Sequence, residues 1–365
     1  MIGPGAEMSA DPAPVRRAPV RRAPVAAALV AVAALSLLGA ACSSSPSSGP
    51  SGGSATITLY NGQHQQTTNA LVAAFEKKTG IGVKVRSDDE SVLVNQIITE
   101  GSGSPADVVY TENSPALELL SKKGLLAPVD PGTLAAVPSR YSSPRGRWVG
   151  VSARAGVMVY NTAQLNPGQL PGSVMELAEP KWRGRIGLAA GETDFLPVVI
   201  SIERTHGRAA AAAWLAGVKA NAEGNLFPSN EVLTNEVNRG GVQLGIINSY
   251  YWYRQRAEVG ATAMHSAVAS FQPGDPGYLI NISGAGVLAS SGQKAAAQKF
   301  LAFLVSTEGQ EIIAHSQSYE YPIGSGVTTA QALPPFASLQ PSPLTVAELG
   351  DGASAIALLQ QAGLA

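Results

Sequence analysis

The sequence predicts an α/β protein built on a parallel sheet with helices on both faces. The main observation is a regular alternation of strand-like and helix-like segments between residues 55 and 124. Composition agrees, because 45% hydrophobic and 14% charged residues suit a well-packed globular protein. The length of 365 residues is sufficient for two domains. In sheets of this kind, functional residues gather at the carboxyl ends of the strands.

The first six elements follow this alternation. Residues 55–60 alternate apolar and polar side chains as a strand does, and residues 70–79 carry helical spacing that ends before Gly80. His64 lies just after the first strand, and Glu112 lies directly after the third. The other predicted segments here are a strand at 82–86, a helix at 92–100, a strand at 107–111 and a helix at 117–123.

The second half delivers two adjacent tyrosines to the end of a strand. Tyr250 and Tyr251 follow a strand predicted at 244–247. Neighbours on a strand point to opposite faces, so both phenols reach one point only if the backbone turns there. Two phenolates in one cleft suit a hard, highly charged cation such as ferric iron. The remaining predicted segments are strands at 152–160, 184–188 and 277–288, helices at 195–204, 209–219, 231–238, 293–304, 310–315 and 353–362, and a proline-rich loop at 328–343.

The first 54 residues have the order of an export leader followed by a tether. Four arginines precede an apolar run at 25–38, and small residues then lead to Cys42. The run is too short and too rich in alanine for a transmembrane helix. We therefore expect residues 1–41 to be a lipoprotein signal peptide and Cys42 to carry a diacyl anchor at the outer face of the cell membrane. Gly39 stands where such sites usually have leucine, and plain secretory cleavage near Ala41 is the alternative. Residues 42–54, rich in Ser, Gly and Pro, are predicted to form a flexible tether.

Several classes of protein are disfavoured by the sequence. The net charge of −1 argues against nucleic-acid binding, which needs a basic surplus. The single cysteine excludes an internal disulfide or a cysteine-rich metal cluster. We find no Ser-His-Asp elbow, phosphate-binding glycine loop or catalytic cysteine pattern, and we therefore expect a protein that is not an enzyme.

Four motifs in order carry a family resemblance over residues 55–365. They are Tyr60-Asn-Gly-Gln-His64, Pro105-Ala-Asp-Val-Val-Tyr-Thr-Glu112, Pro180-Lys-Trp-Arg-Gly-Arg-Ile-Gly187 and Asn248-Ser-Tyr-Tyr-Trp-Tyr253. Together they resemble the ferric-ion-binding subunits of bacterial ABC importers. The resemblance implies a two-lobe periplasmic-binding-protein fold of type II, with discontinuous domains joined by a hinge. Lobe one is then about 55–137 and 281–331, and lobe two about 157–280 and 332–365.

In that family one iron lies between the lobes, and the resemblance implies the ligands His64, Glu112, Tyr250 and Tyr251. The chemistry agrees, because carboxylate and phenolate are hard oxygen donors. A trivalent cation favours the deprotonated phenol although its usual pKa is about 10. The blander interpretations are buried aromatic packing for the tyrosines and helix capping for His64 and Glu112.

The family also completes the coordination with a synergistic anion. The resemblance places Asn113, Asn230 and Asn248 at anion-contact positions, and Arg154 near the cleft as an anion partner or as half of a salt bridge. Where many members cradle phosphate with a Ser-Gly-Ala type segment, this chain has Glu192-Thr193-Asp194. Carboxylates repel phosphate, so carbonate, citrate, water, or a carboxylate from Glu192 or Asp194 is expected in its place. Asp194 is also predicted as the N-cap of the helix that starts at Phe195.

The sequence and the resemblance together predict a monomeric lipoprotein that captures Fe³⁺ by hinge closure. It then delivers the ion to an ABC permease with its ATPase. The alternative is a binding protein of the same fold for a non-metal ligand, such as thiamine, a polyamine or an organic anion.

Overall fold

The computed structural model describes residues 55–324, 326–329 and 333–365. The predicted signal peptide, Cys42 and the tether lie outside these residues. Within the described ranges no helix is long and apolar enough to cross a membrane.

The strands of the described part form one mixed sheet. Its strands are β1 (Thr56–Asn61), β2 (Gly82–Ser87), β3 (Val108–Thr111), β4 (Val149–Asn161), β5 (Ile186–Gly187), β6 (Leu244–Asn248), β7 (Ser266–Ala269), β8 (Ile280–Val287) and β9 (Tyr321–Pro322). Their order is β2-β1-β3-β8-β4-β6-β5, and β7 and β9 also pair with β4. β1 is parallel to β2 and β3, as the alternation predicts. β8 runs antiparallel between β3 and β4, so a purely parallel sheet is wrong for the whole protein.

The helices cover the sheet and mostly agree with the sequence prediction. The bounds are α1 (Gln65–Thr79), α2 (Glu90–Glu100), α3 (Ser114–Lys122), α4 (Pro131–Ala135), α5 (Leu196–His206), α6 (Arg208–Ala222), α7 (Asn230–Arg239), α8 (Ser249–Val259), α9 (Lys294–Leu304), α10 (Thr307–Ala314), α11 (Val346–Leu349) and α12 (Ala353–Ala362). α1 begins five residues earlier than predicted, because a polar first turn carries no apolar spacing signal. The sequence did not indicate α4, α8, α11, β7 or β9.

The apolar side chains form two separate clusters, which is the arrangement of a two-lobe protein. β4 connects the clusters: Ala153 packs in the first cluster and Ala155 in the second. All residues of this strand are buried, including Arg154, which lies between those two alanines. The polar side chains at the boundary are therefore held by a strand that belongs to both cores. The predicted residue bounds of the lobes stay a prediction.

Candidate metal centre

The two tyrosines lie in the first turn of α8, directly after β6. A helix turns about 100° per residue, where a strand turns about 180°, so neighbouring side chains can share one side. The ring centroids of Tyr250 and Tyr251 are 4.0 Å apart. The two residues are only 1% and 7% exposed. The predicted backbone turn is confirmed, and it is the start of a helix. Burial, with nearby acidic groups, raises the pKa of both phenols well above its usual value.

His64 and Glu112 lie together against the first tyrosine. His64 Nδ1 is 3.4 Å from Glu112 Oε1, and the imidazole meets the Tyr250 ring edge-on with centroids 4.7 Å apart. His64 holds the N-cap position of α1, but its side chain makes no cap hydrogen bond. Its Nε2 atom is buried without a hydrogen-bond partner. Burial lowers the pKa of His64 to about 4, so the ring is neutral, the form that binds metals.

Asp194 joins the two phenols. Its Oδ2 atom accepts hydrogen bonds from Tyr250 at 3.5 Å and from Tyr251 at 3.2 Å. Its Oδ1 atom accepts from Asn113 Nδ2 at 3.2 Å and from Arg154 at 3.3 Å. The predicted N-cap role is wrong, because α5 follows a 3₁₀ turn at Thr193–Phe195 and no side chain caps either helix. The Asp194 carboxylate instead accepts hydrogen bonds from the side chains of four residues, Asn113, Arg154, Tyr250 and Tyr251, and not from helix amides.

Arg154 is fully buried and bridges the carboxylates of the site. Its guanidinium donates to Glu320 Oε1 at 3.1 Å and to Asn113 Oδ1 at 3.0 Å, besides Asp194. Burial lowers the pKa of Arg154, but Asp194, Glu112 and Glu320 raise it well above its usual value. The arginine therefore stays charged and acts as an ion-pair partner, which is one of the two roles considered from the sequence.

Glu320 and Glu90 belong to the centre but were missed from the sequence. Glu320 accepts hydrogen bonds from Ser152 at 2.8 Å and from Arg154, and it lies 3.9 Å from His64 Nε2. The preceding Tyr319 has φ +52°, an uncommon conformation for a non-glycine residue, and no local pattern announces it. Glu90 accepts from the Asn113 backbone amide at 2.8 Å, and burial raises its pKa to about 7. Both residues reach the site only through the tertiary fold.

The predicted anion-contact residues divide into two groups. Asn113 lies in the centre and also donates to Thr193 Oγ1 at 3.3 Å. Asn230 and Asn248 line a separate cavity of about 10 Å³ behind Asp194. Asn248 Oδ1 accepts from Asn281 at 2.8 Å, whereas its Nδ2 atom is buried without a partner.

A larger cavity of about 510 Å³ adjoins Glu112 and Tyr251. Among the described residues its lining contains no lysine or arginine. Glu192 lies on its wall, and burial together with Asp194 raises the pKa of the Glu192 carboxyl to about 7. The other acidic lining residues are Asp88, Asp89, Glu90, Glu112 and Glu231. Because its lining is acidic, this cavity attracts cations and repels anions.

The donor types decide which metal suits the centre. In the described part of the chain, no three His, Cys, Asp and Glu side chains form a metal site by themselves, without other donors. The phenolic oxygens of Tyr250 and Tyr251 are further hard donors at this place. Such an oxygen-rich set with one imidazole favours a hard cation over soft thiophilic ions.

The two clusters joined by β4, with a polar centre beside them, define the class of two-lobe binding proteins. The chain belongs to the bacterial extracellular solute-binding protein family, whose sequence profile matches residues 103–343. It is 38% identical over 308 residues to the Fe(3+)-binding periplasmic protein of Serratia marcescens, covering 84% of this chain and 90% of that protein. It is 39% identical over 312 residues to the major ferric iron-binding protein of Neisseria meningitidis, covering 85% and 93%.

The chain is also similar to solved structures of iron-binding proteins. Iron-bound HitA from Pseudomonas aeruginosa is 42% identical, with a TM-score of 0.81 over 85% of this chain and 99% of that one. Trichodesmium IdiA (FutA), in complex with iron and citrate ligands, is 32% identical, with a TM-score of 0.75 over 85% of this chain and 100% of that one. These relatives are solute-binding proteins.

Proposed function

We propose that this chain binds ferric iron outside the cytoplasm for iron uptake and is not an enzyme. The observation that carries the proposal is the convergence of two phenols, a carboxylate and an unpartnered imidazole nitrogen between two hydrophobic clusters. His64, Glu112, Tyr250 and Tyr251 would be ligands. The relatives whose names state ferric iron binding support the same cargo.

Charge explains why a trivalent ion suits these donors. Two phenolates and the Glu112 carboxylate supply three negative charges, and neutral His64 adds a donor without charge. Buried charges are costly unless they are neutralised at short range. A ferric ion supplies that neutralisation, and it draws donors from both clusters onto one point. Binding and lobe closure are therefore one event in this proposal.

The route of delivery is part of the same proposal. The closed, loaded protein would be recognised by an ABC permease with its ATPase, and a diacyl anchor on Cys42 would hold the monomer at the outer face of the membrane. Lobe one would comprise residues 55–137 and 281–331, and lobe two residues 157–280 and 332–365.

Iron loading tests the function directly. We expect the chelator-stripped full-length protein to develop a tyrosinate-to-iron charge-transfer colour when ferric ion is added. The titration should reach its plateau at about one iron per chain, because one set of donors is present. Absence of colour and of tight binding with every anion tried, including carbonate, phosphate and citrate, would defeat the proposal.

Iron binding is expected to release protons and to weaken in acid. Burial holds both phenols in the protonated form when the site is empty, whereas the bound ion requires phenolates. Each iron should therefore displace about two protons from the tyrosines, and lowering the pH should shift the equilibrium towards release. A pH-stat titration in weakly buffered solution measures the number. Binding without proton release would mean that the phenols are not ligands.

The anchor has its own test. We expect radiolabelled lipid to be incorporated into the full-length chain in a bacterial host and to be lost in Cys42→Ala. The variant should bind iron as the parent does, because Cys42 precedes the described fold. Labelling that survives the substitution would contradict the anchor.

A second candidate ligand is an organic cation such as a polyamine or thiamine, and the acidic cavity of about 510 Å³ favours it. The same lining disfavours an organic anion, which carries the wrong charge. Calorimetry with spermidine and thiamine, on iron-free and iron-loaded protein, separates the candidates. Micromolar binding of either cation together with no ferric binding would favour this second function over the first.

A further inference from the structure

We propose that Asp194 is a direct ligand of the ferric ion and serves as a built-in anion, so that the centre closes on iron without an anion from solution. This inference rests on the proposed function. It concerns what completes the coordination once the four expected ligands are in place. An octahedral ion still has open positions after one imidazole, one carboxylate and two phenolates have bound.

The Asp194 carboxylate lies as far from the two phenolic oxygens as ligands on adjacent corners of one metal ion lie from each other. Oxygen ligands on adjacent corners of an octahedral ion, with bonds of about 2.0–2.1 Å, lie about 3 Å apart. Asp194 Oδ2 lies 3.2 Å from the Tyr251 oxygen and 3.5 Å from the Tyr250 oxygen. In the empty site the phenolic hydrogens lie between these atoms. When the ion displaces those hydrogens, the same three oxygens remain around one point.

Asp194 is also held in advance of binding. Asn113 and Arg154 donate to its other oxygen, and the residue is only 6% exposed. Partners of this kind orient a ligand carboxylate and limit the conformational entropy that binding costs. A carboxylate attached to the chain has no translational entropy to lose, unlike an anion captured from solution.

An external anion lacks space at Asn230 and Asn248, two of the three asparagines expected to contact it. The cavity between Asp194, Asn230 and Asn248 measures about 10 Å³, which is room for one water molecule. Carbonate, phosphate and citrate are all larger than water. The unpartnered Nδ2 atom of Asn248 is therefore suited to a single water molecule.

The net charge of the centre also argues against an anion from solution. With iron bound, the positive charges are the three of the ion and the one of Arg154. The acidic groups of the centre already exceed them by one before the buried Glu90 is counted, and they are Glu112, Asp194, Glu320, Tyr250 and Tyr251. A further anion would enlarge the excess in a buried place, and the cavity that leads to the site is lined by carboxylates. Glu192 lies on that wall, whereas Asp194 accepts hydrogen bonds from both phenols.

The first experiment uses the unaltered protein. Stripped protein is mixed with ferrous chloride in a buffer that contains neither carbonate nor phosphate. Air freed of carbon dioxide then oxidises the iron to the ferric state. The absorbance spectrum and the native mass of the protein are recorded. We expect the full charge-transfer band and a mass that corresponds to protein plus iron alone. Addition of bicarbonate should change the apparent affinity less than about twofold, and neither phosphate nor citrate should appear in the native mass of the loaded protein.

Full colour only after an anion is added, with that anion present in the native mass, would overturn the Asp194 inference and leave ferric binding intact. No colour under any condition would overturn ferric binding itself. This comparison needs no variant, so it decides the question even if substitutions disturb folding.

Variants then locate the effect. Asp194→Asn keeps the size of the side chain but removes the anionic donor, so anion-free loading should weaken by about 100-fold or more. Added bicarbonate should restore part of the affinity and appear in the native mass. The matched Asp130→Asn variant removes a carboxylate from an exposed position before α4, where the side chain makes no cap hydrogen bond, and should load as the parent does. Equal loading of Asp194→Asn and the parent without anion would refute the ligand role.

Discussion

Replacing both Tyr250 and Tyr251 with phenylalanine should abolish the visible colour and lower the affinity for ferric iron by several orders of magnitude. Each single substitution should remove most of the band and cost at least about 100-fold, because a direct ligand contributes more than the partners that orient it. Absorbance titration and competition with a chelator of known affinity measure both effects.

The matched control is Tyr253→Phe in the same helix. Tyr253 stacks on Tyr319 with ring centroids 6.0 Å apart and makes no contact with Asp194 among the described hydrogen bonds. We expect its colour and affinity to equal those of the parent. If Tyr250→Phe and Tyr251→Phe both retained the band, the metal site would lie elsewhere in the protein.

Replacing Arg154 with methionine should lower the free energy of unfolding of the iron-free protein by about 3–5 kcal/mol. The physical reason is that the buried carboxylates of Asp194 and Glu320 would lose the cation that lies 3.3 Å and 3.1 Å from them. Urea unfolding followed by circular dichroism measures the change.

Arg183→Met provides the comparison, since Arg183 pairs with Glu223 at 3.0 Å on the surface with both side chains more than half exposed. Exposed pairs contribute at most about 1 kcal/mol, so this variant should stay close to the parent. Iron should restore part of the stability lost in Arg154→Met, because the ion supplies positive charge to the same carboxylates. Equal stability of the two variants would mean that Arg154 does not compensate the buried acidic groups.

Most of the regular structure could be predicted from the sequence, because it depends on local spacing. The helix before Gly80 and the parallel strands β1, β2 and β3 follow from apolar periodicity. The helix α8 could not be predicted in this way, because its aromatic and charged residues give no clear apolar stripe. Its first turn is nevertheless what brings the tyrosine rings together.

The same division applies to the site. His64, Glu112 and the tyrosine pair could be expected, because each follows a strand and matches a motif. The structure brings His64, Glu112 and Tyr250 into contact, whereas their role as ligands stays a prediction. Asp194 was expected chiefly as a helix cap, and Glu320 was not expected at all. Both receive their partners from residues at least 40 positions away, which no local pattern encodes.

The sequence by itself determined the two adjacent phenols, the strand before them and the acidic segment Glu192-Thr193-Asp194 where other members of the resembled family have small residues. Only the tertiary structure decided where that segment points. Side-chain type and spacing specify which donors exist, but the positions of donors far apart in the chain depend on how two hydrophobic clusters pack around β4. The fold turns one oxygen of the Asp194 carboxylate onto Tyr250 and Tyr251, while the buried Arg154 donates to the other oxygen and holds the carboxylate in place.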